Sequence, residues 1–473
     1  MEPIALTTDQ TTTTSRKRSP SLAALLSFLW PGLGQLYLRK WRPAAVFAVP
    51  SVMVVVLLAY WLRRGPFIFA VELFAERTVG LAAVAIVIGF GAWRLVSVVH
   101  AFRGGNRSST HKVVDRAVLA ALAAVIVVTH LGGGYYLMTL SDAGVEVFDA
   151  TDSELIGWAT PSPSLSPSPA PGETPATAAP TGTPAPTATP KDGRVTILFT
   201  GASSGSSANL YDTIMVVSYN PTANSIQMVS VPRDSASFPF YWGGVDRPGD
   251  KINALPTYVQ NGHIKSPDAA YRTLINEVQY LVGVHIDYSA IMYLSGFVAM
   301  IDKLGGIDIV SPTALNDPTY DWLDGAHWGF SLSAGPHHLD GKTALAYVRS
   351  RHSYHDGDWA RSSRQQQVLI ALLHKMASPS QILKLPSLIK LLGGSVVTDF
   401  PANKLADYIS MGLNVPSGNI AQVVLGPPYT ITGTSTTNAA NCLLNDKVAA
   451  LSVQLFGPDS LWYGRPAPAN TCP

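Results

Sequence analysis

Long apolar runs separated by short basic clusters fill the first 140 residues of the chain. Three of the runs, at residues 43–62, 79–102 and 117–140, are long enough to cross a bilayer, which takes about 20 residues. The stretch 21–38 is also apolar, but a Pro-Gly-Leu-Gly sequence at its centre disfavours a continuous helix. We therefore predict a membrane region at residues 1–140, with about three transmembrane helices and a re-entrant or interfacial segment at 21–38.

Arginine and lysine clusters lie before the first span and between the second and third spans, and such clusters favour the cytoplasmic side. This distribution predicts a cytoplasmic N-terminus, a multi-pass location in the cell membrane and an extracytoplasmic C-terminal domain. A fourth span at residues 21–38 would reverse the orientation.

Residues 141–190 predict a stalk, which from residue 160 consists almost entirely of Pro, Ser, Thr and Ala. Such a composition cannot bury a core and favours extended polyproline-like conformations. At ~3.1 Å per residue, the Pro-rich part would reach roughly 90 Å when fully extended.

After Arg194 the hydrophobic pattern is typical of strands mixed with helices. The predicted strands are 195–199, 213–218, 225–231, 286–293 and 307–310, and the predicted helices are 267–281, 294–304 and 359–376. This order favours an α/β domain or an α/β/α sandwich over residues 191–380. We expect residues 381–473 to form a C-terminal extension packed on that domain.

Charge and cysteine content narrow the function classes. Charged residues are 14% of the chain and the formal net charge is +2, so the overall charge gives no reason to expect nucleic acid as a partner. The two cysteines, Cys442 and Cys472, would form a disulfide in an oxidising exterior, and the alternative is two unrelated thiols.

A group of basic residues offers candidate chemistry. Arg349 and Arg351 would share one face of a strand, and Arg361, Arg364 and Gln365 would share one face near the start of a helix. Guanidinium groups match phosphate oxygens in pairs, so these residues predict a pyrophosphate site if the fold adds two further cations. The two cations are Arg233 and Lys251. The alternative is a set of solvated arginines paired with nearby aspartates.

Ordered motifs across about residues 194–376 carry a resemblance to a known family. They are Val-Ser-Val-Pro-Arg-Asp at 229–234, Lys-Ile-Asn-Ala at 251–254, Leu-Gly-Gly-Ile-Asp-Ile at 304–309, Leu-Asp-Gly-Lys-Thr-Ala-Leu at 339–345, Arg-Ser-Arg at 349–351, Gly-Asp at 357–358 and Arg-Ser-Ser-Arg-Gln-Gln at 361–366. In these motifs the chain resembles the LytR–CpsA–Psr family of cell-envelope glycopolymer transferases.

The resemblance implies a fold and a reaction. The fold is an α/β/α sandwich, and the reaction moves a glycopolymer from a polyprenyl-pyrophosphate carrier to a hydroxyl of peptidoglycan, with pyrophosphatase activity as an expected side reaction. Arg233 would bind the pyrophosphate, Asp234 would orient that arginine or act as a general base, and Asp212 would act near a Mg²⁺ ion. The membrane and a long lipid are the other implied partners.

Two positions depart from the family pattern. Ser203 stands where a carboxylate is expected, and Leu210 stands where an arginine is expected. Serine is a poor ligand for a hard divalent cation, so the departures put Mg²⁺ binding in question. They motivate an alternative, a catalytically degenerate protein that binds polyprenyl-pyrophosphate-linked glycan or scaffolds wall assembly. A third hypothesis, a regulatory role, lacks any DNA-binding element in the sequence.

Overall fold

The computed structural model describes residues 18–63, 65–105, 112–148, 193–202, 210–244, 250–322, 327–351, 358–376, 396–432 and 441–472, with four single residues between 377 and 395. The Pro-rich part of the predicted stalk and Ser203 lie outside the described residues. The chain divides into two compact units, one of residues 1–65 and 78–139 and the other of residues 66–77 and 140–473.

The first unit contains the apolar helices. Helices α1 (Pro20–Leu29) and α2 (Leu33–Tyr37) precede α3 (Trp41–Leu62). After α4 (Pro66–Ala75), which groups with the second unit, come α5 (Arg77–Gly104) and α6 (Lys112–Phe148). Three segments, Trp41–Leu62, Arg77–Gly104 and Lys112–Asp142, are long and apolar enough to cross a membrane.

The expected break inside residues 21–38 is present, because α1 ends at Leu29 and α2 begins only at Leu33. The side chain of Gln35 on α2 is fully buried. Its amide donates to the backbone carbonyl of Ser97 on α5 at 2.9 Å and its oxygen accepts from Ser27 on α1 at 2.9 Å. Buried polar groups must be hydrogen-bonded, so this triangle fixes the two short helices against α5.

The second unit is built on a six-stranded mixed sheet. Its first strands are β1 (Val195–Ala202), β2 (Tyr211–Asn220) and β3 (Ser225–Ser230), and helices α7 (Leu255–Gln260) and α8 (Ala270–Val282) follow. Then come β4 (Tyr288–Tyr293) and α9 (Leu294–Leu304). The turn between β2 and β3 is the predicted Asn-Pro-Thr-Ala-Asn spacer, and β1 to β3 form an antiparallel meander.

Two nested hairpins then interrupt the α/β pattern. Strand β5 (Ile307–Ser311) pairs with β8 (Gly335–Leu339), and between them β6 (Leu315–Asp321) pairs with β7 (Trp328–Leu332). Helices α10 (Gly341–Arg349) and α11 (Asp358–Met376) follow.

The last part of the chain completes the main sheet. Its elements are β9 (Val396–Thr398), α12 (Ala402–Leu413), β10 (Ile420–Val424), β11 (Thr430–Thr432), β12 (Asn441–Leu443) and α13 (Asn445–Phe456). The strand order is β10-β3-β2-β1-β4-β9, with β10 parallel to β3 and β9 antiparallel to β4. Both edge strands therefore come from the segment after residue 380, which is part of the domain's own sheet rather than an addition to its surface.

Helices cover both faces of this sheet. On one face, Leu198 and Val229 belong to a core that includes Leu274 of α8 and Val448 of α13. Successive residues of a strand point to opposite faces, so Ser230 faces the other way from Val229. Ser230 accepts a hydrogen bond at 2.9 Å from the amide of Gln366 on α11. The α/β/α sandwich predicted from the sequence is thus confirmed.

Cys442 and Cys472 form a disulfide. Cys442 lies on β12, where the backbone N–H of Asn441 donates to Asp234 O at 2.9 Å and the N–H of Ala236 donates to Asn441 O at 2.9 Å. The bridge therefore ties the C-terminal end of the chain to the strand that supports the loop after β3.

Candidate functional site

A cavity of about 170 Å³ gathers most of the residues predicted to bind pyrophosphate. Arg233 follows β3, Arg349 ends α10, Arg351 follows it, and Arg361 and Gln365 lie on α11. Three separate parts of the chain thus bring four arginines to one cavity. Its lining is Asp212, Arg233, Asp317, Thr319, Tyr320, Asp321, Val348, Arg349, Arg351, Arg361 and Gln365.

Arg233 is held between two carboxylates. Its Nη1 donates to Asp212 on β2, and its Nε lies 3.8 Å from Asp234 Oδ2. Asp234 also accepts from Lys251 Nζ at 2.8 Å and lies 4.0 Å from Arg351 Nη1. Asp234 is only 8% exposed and lies between three partly exposed cations. This arrangement fits the orienting role expected for Asp234, and Lys251, which does not line the cavity, is joined to it through that carboxylate.

Arg349 and Arg351 were predicted to lie on a strand, and that prediction is wrong. Asp340 caps α10 by accepting from the N–H of Thr343 at 2.7 Å, and the helix ends at Arg349. The two arginines still reach the same cavity, because the chain turns at the buried Ser350. The sequence motif located the pair correctly although it did not show the local structure.

A buried carboxylate fixes this turn. Asp317 on β6 is 1% exposed, and its Oδ2 accepts from Ser350 Oγ and from the N–H of Arg351, both at 2.9 Å. Its Oδ1 accepts from the N–H and hydroxyl of Thr319 at 3.2 and 2.9 Å. Hydrogen bonds to a charged acceptor are the stronger kind, so Asp317 positions the backbone that carries Arg351.

Arg349 has capacity left for a ligand. Its Nη1 is buried and has no hydrogen-bond partner among the residues that the structure describes. Tyr320 lies against the same guanidinium, and burial raises the pKa of Tyr320. A buried donor without an acceptor is costly, and an anion in the cavity would remove that cost.

The helix α11 separates the two arginines that the sequence analysis grouped together. Arg361 is 3% exposed and lines the cavity with Gln365. Arg364 does not line it: its Nε donates to Tyr347 O at 2.7 Å and its Nη2 donates to Ser350 O at 2.5 Å. Its guanidinium satisfies carbonyls at the end of α10, where a cation is also favoured by the helix dipole. The structure thus places Arg364 in a supporting position behind the site.

Four cavity residues on β6 were not predicted from the sequence. They are Asp317, Thr319, Tyr320 and Asp321. The available signal was the Asp-Pro-Thr sequence, in which an aspartate side chain bonds its own backbone two residues on, as it does here. No pattern in the sequence indicated that this turn would face the arginines.

The side chains around the cavity decide whether the implied Mg²⁺ ion fits there. Within the described ranges, no three acidic, histidine or cysteine side chains lie together in a way that would hold a metal ion. Asp212 lines the cavity and is paired with Arg233. Mg²⁺ is often held by one or two carboxylates together with substrate phosphates, so Asp212 fits a site of that kind, which a bound pyrophosphate would complete.

Comparison with known proteins identifies the family. The model of the LytR_cpsA_psr family matches residues 173–451, more than half of the chain. A Bacillus licheniformis protein named polyisoprenyl-teichoic acid–peptidoglycan teichoic acid transferase TagU is 29% identical over 52% of this chain and 72% of its own length. The Staphylococcus aureus protein named regulatory protein MsrR is 33% identical over 44% of this chain and 58% of its own.

The Bacillus subtilis TagU is 31% identical over 42% of this chain and 57% of its own length, so the match leaves out two fifths of that relative. The crystal structure of B. subtilis TagU is 24% identical and covers 55% of this chain and 95% of its own, with a TM-score of 0.41. The extent of the family match and its agreement with the ordered motifs lead to one conclusion. The chain belongs to the LytR_cpsA_psr family.

Proposed function

We propose that this protein transfers a glycopolymer from a polyprenyl-pyrophosphate carrier to a hydroxyl of peptidoglycan. The observation that carries the proposal is the single cavity in which four arginines from three parts of the chain converge. Two relatives named as teichoic acid transferases acting on peptidoglycan support the same reaction class.

The reaction follows from the charges in the cavity. The acceptor oxygen attacks the phosphorus next to the sugar, the bridging P–O bond breaks, and polyprenyl phosphate leaves with the electron pair of that bond. The glycan and its phosphate are then joined to the acceptor oxygen, and the proton of that hydroxyl passes to water. Negative charge grows on the leaving phosphate, and guanidinium groups preorganised around it stabilise that charge.

The carboxylates have distinct tasks in this proposal. Asp234 orients Arg233, Lys251 and Arg351. Asp212 holds Arg233 and is the residue that would hold Mg²⁺ beside the bound pyrophosphate. When bound, Mg²⁺ would neutralise phosphate oxygens. If water took the place of the acceptor hydroxyl, the same cavity would give the pyrophosphatase side activity.

Location completes the proposal. The three long apolar helices fit a membrane anchor. The basic clusters favour a cytoplasmic N-terminus and an extracytoplasmic second unit, and in that orientation the lipid carrier and the wall acceptor would both be within reach.

The test uses the full chain in liposomes with a labelled polyprenyl-pyrophosphate glycan and isolated peptidoglycan. Arg349→Gln should lower the rate of label transfer by roughly 100-fold, since it removes a preorganised charge. Lys342→Gln, an exposed position on the same helix, should leave the rate unchanged. Repeating the assay with a chelator tests the need for Mg²⁺.

The alternative is a protein that binds the lipid-linked glycan without turnover. It is favoured by Leu210, which is 39% exposed where the family pattern has an arginine. Tight binding of the labelled lipid by the wild type with no transfer would contradict the transferase proposal and favour this alternative.

A further inference from the structure

An exposed tryptophan is paired across a hairpin with a residue of the arginine cavity. Trp328 begins β7 and is 67% exposed, although large aromatic side chains are usually well buried. Its partner across the hairpin is Asp321, which lines the cavity. Residues directly opposite in an antiparallel pair project from the same face, so Trp328 and Asp321 lie side by side on one face of the hairpin.

The hairpin that carries Trp328 is braced by its other aromatic residues. Trp322 Nε1 donates to Gly329 O at 2.7 Å, immediately after Trp328. The Trp322 ring contacts Phe330 at a centroid distance of 5.8 Å and Tyr320 at 5.4 Å, both edge to face. Phe330 and Tyr320 are 5% and 7% exposed. These neighbours turn into the core while the backbone next to Trp328 is fixed.

The charges of the cavity decide which part of a ligand would lie near Trp328. The four arginines suit a diphosphate group, so a sugar attached to that group would lie next to them. Beside the arginines, the hairpin offers the carboxylate of Asp321 and, paired with it across the strands, the indole of Trp328. A broad apolar face with a few polar groups beside it is the usual means of orienting a small polar ring.

We propose that Trp328 and Asp321 form a sugar subsite that binds the pyranose ring joined to the pyrophosphate of the donor. The indole face covers one face of the ring, and the carboxylate accepts a hydrogen bond from a ring hydroxyl. This inference rests on the proposed function, because the arginine cavity supplies the diphosphate position from which the sugar is placed.

The test measures binding to the full chain in detergent with two probes. One is a short-chain polyprenyl pyrophosphate, and the other is the same compound carrying one N-acetylhexosamine. Trp328→Ala should weaken binding of the sugar-bearing probe by about tenfold and leave the sugar-free probe unchanged. Trp328→Phe should recover part of the loss. Tyr463→Ala, at a position that is 55% exposed, is the matched control and should affect neither probe.

The outcomes separate the inference from the proposed function. An equal loss for both probes would overturn the subsite, because Trp328 would then act on the lipid or on the fold. No loss for either probe would also overturn it. If the wild type bound neither probe, the proposed pyrophosphate site would fail and the subsite with it.

Discussion

Asp317 offers a sharp test of how the site is supported. From residues that the structure describes, its two oxygens accept two hydrogen bonds from Thr319 and two from Ser350 and Arg351. Asp317 is 1% exposed and Ser350 is fully buried, so water does not replace a lost partner. The substitution Asp317→Asn keeps the shape of the side chain and exchanges one acceptor oxygen for a donor.

The expected loss of stability follows from the donors that Asp317 accepts from. The hydroxyl of Thr319 or Ser350 is able to rotate and accept from the new amide, but a backbone N–H cannot. One buried N–H therefore loses its acceptor, which costs about 1–3 kcal/mol, and the remaining bonds lose their ionic character. We expect the free energy of unfolding to fall by about 2–4 kcal/mol in total, which corresponds to a fall in Tm of roughly 5–12 °C for a domain of this size.

The assay is thermal unfolding of the full chain in detergent, followed by a signal from the second unit. Asp308→Asn is the control, because that carboxylate is 72% exposed and its loss should change Tm by less than about 1–2 °C. If Asp317→Asn unfolded at the wild-type temperature, the buried carboxylate would not hold the turn that carries Arg351.

Three further predictions concern stability and binding. The double substitution Cys442→Ser with Cys472→Ser, which opens a loop of 30 residues, should destabilise the second unit by about 3–4 kcal/mol. The wild type melted with a reductant should show the same loss relative to the wild type melted without one. Burial raises the pKa of Asp399 to about 6, so its neutral form stabilises the folded state at low pH and that stability is lost as pH rises from about 4 through 6. Between pH 4.5 and 7.5, the free energy of unfolding of Asp399→Asn should therefore fall by about 1–2 kcal/mol less than that of the wild type. Parallel melts measure this difference, and identical pH profiles would refute the assignment. Arg364→Gln should lower Tm, whereas Arg349→Gln should weaken pyrophosphate binding with little change in Tm, and a titration beside a melt separates the two effects.

The sequence predicted the sheet and its helices well where the pattern was local. The helix at 294–304 and the strands at 195, 225 and 307 begin where they were expected, because apolar periodicity and turn residues mark them directly. The edge strands β9 and β10 were harder to assign to the sheet. Their pairing joins β4 to β9 and β3 to β10 across long sequence separations, and such pairing leaves no local signal.

In the candidate site, too, some residues had a signal in the sequence and others depended on the packing of distant elements. Family motifs identified Arg233, Arg349, Arg351 and Arg361, which the fold brings to one cavity. The motifs also included Arg364, whose guanidinium instead bonds backbone carbonyls. Positions three apart on a helix are neighbours in sequence pattern, but only the packing of α11 against α10 decides which of them faces the ligand. For the same reason the β6 wall of the cavity was not visible in the sequence.

The central claim is that four arginines form one pyrophosphate site. The most direct measurement is an experimental structure of the full chain with a short-chain polyprenyl pyrophosphate. We predict that the diphosphate lies in the cavity within hydrogen-bond distance of Arg233, Arg349 and Arg351, with Nη1 of Arg349 bonded to a phosphate oxygen. A diphosphate bound elsewhere on the chain, with the cavity arginines in contact only with protein groups, would contradict the account.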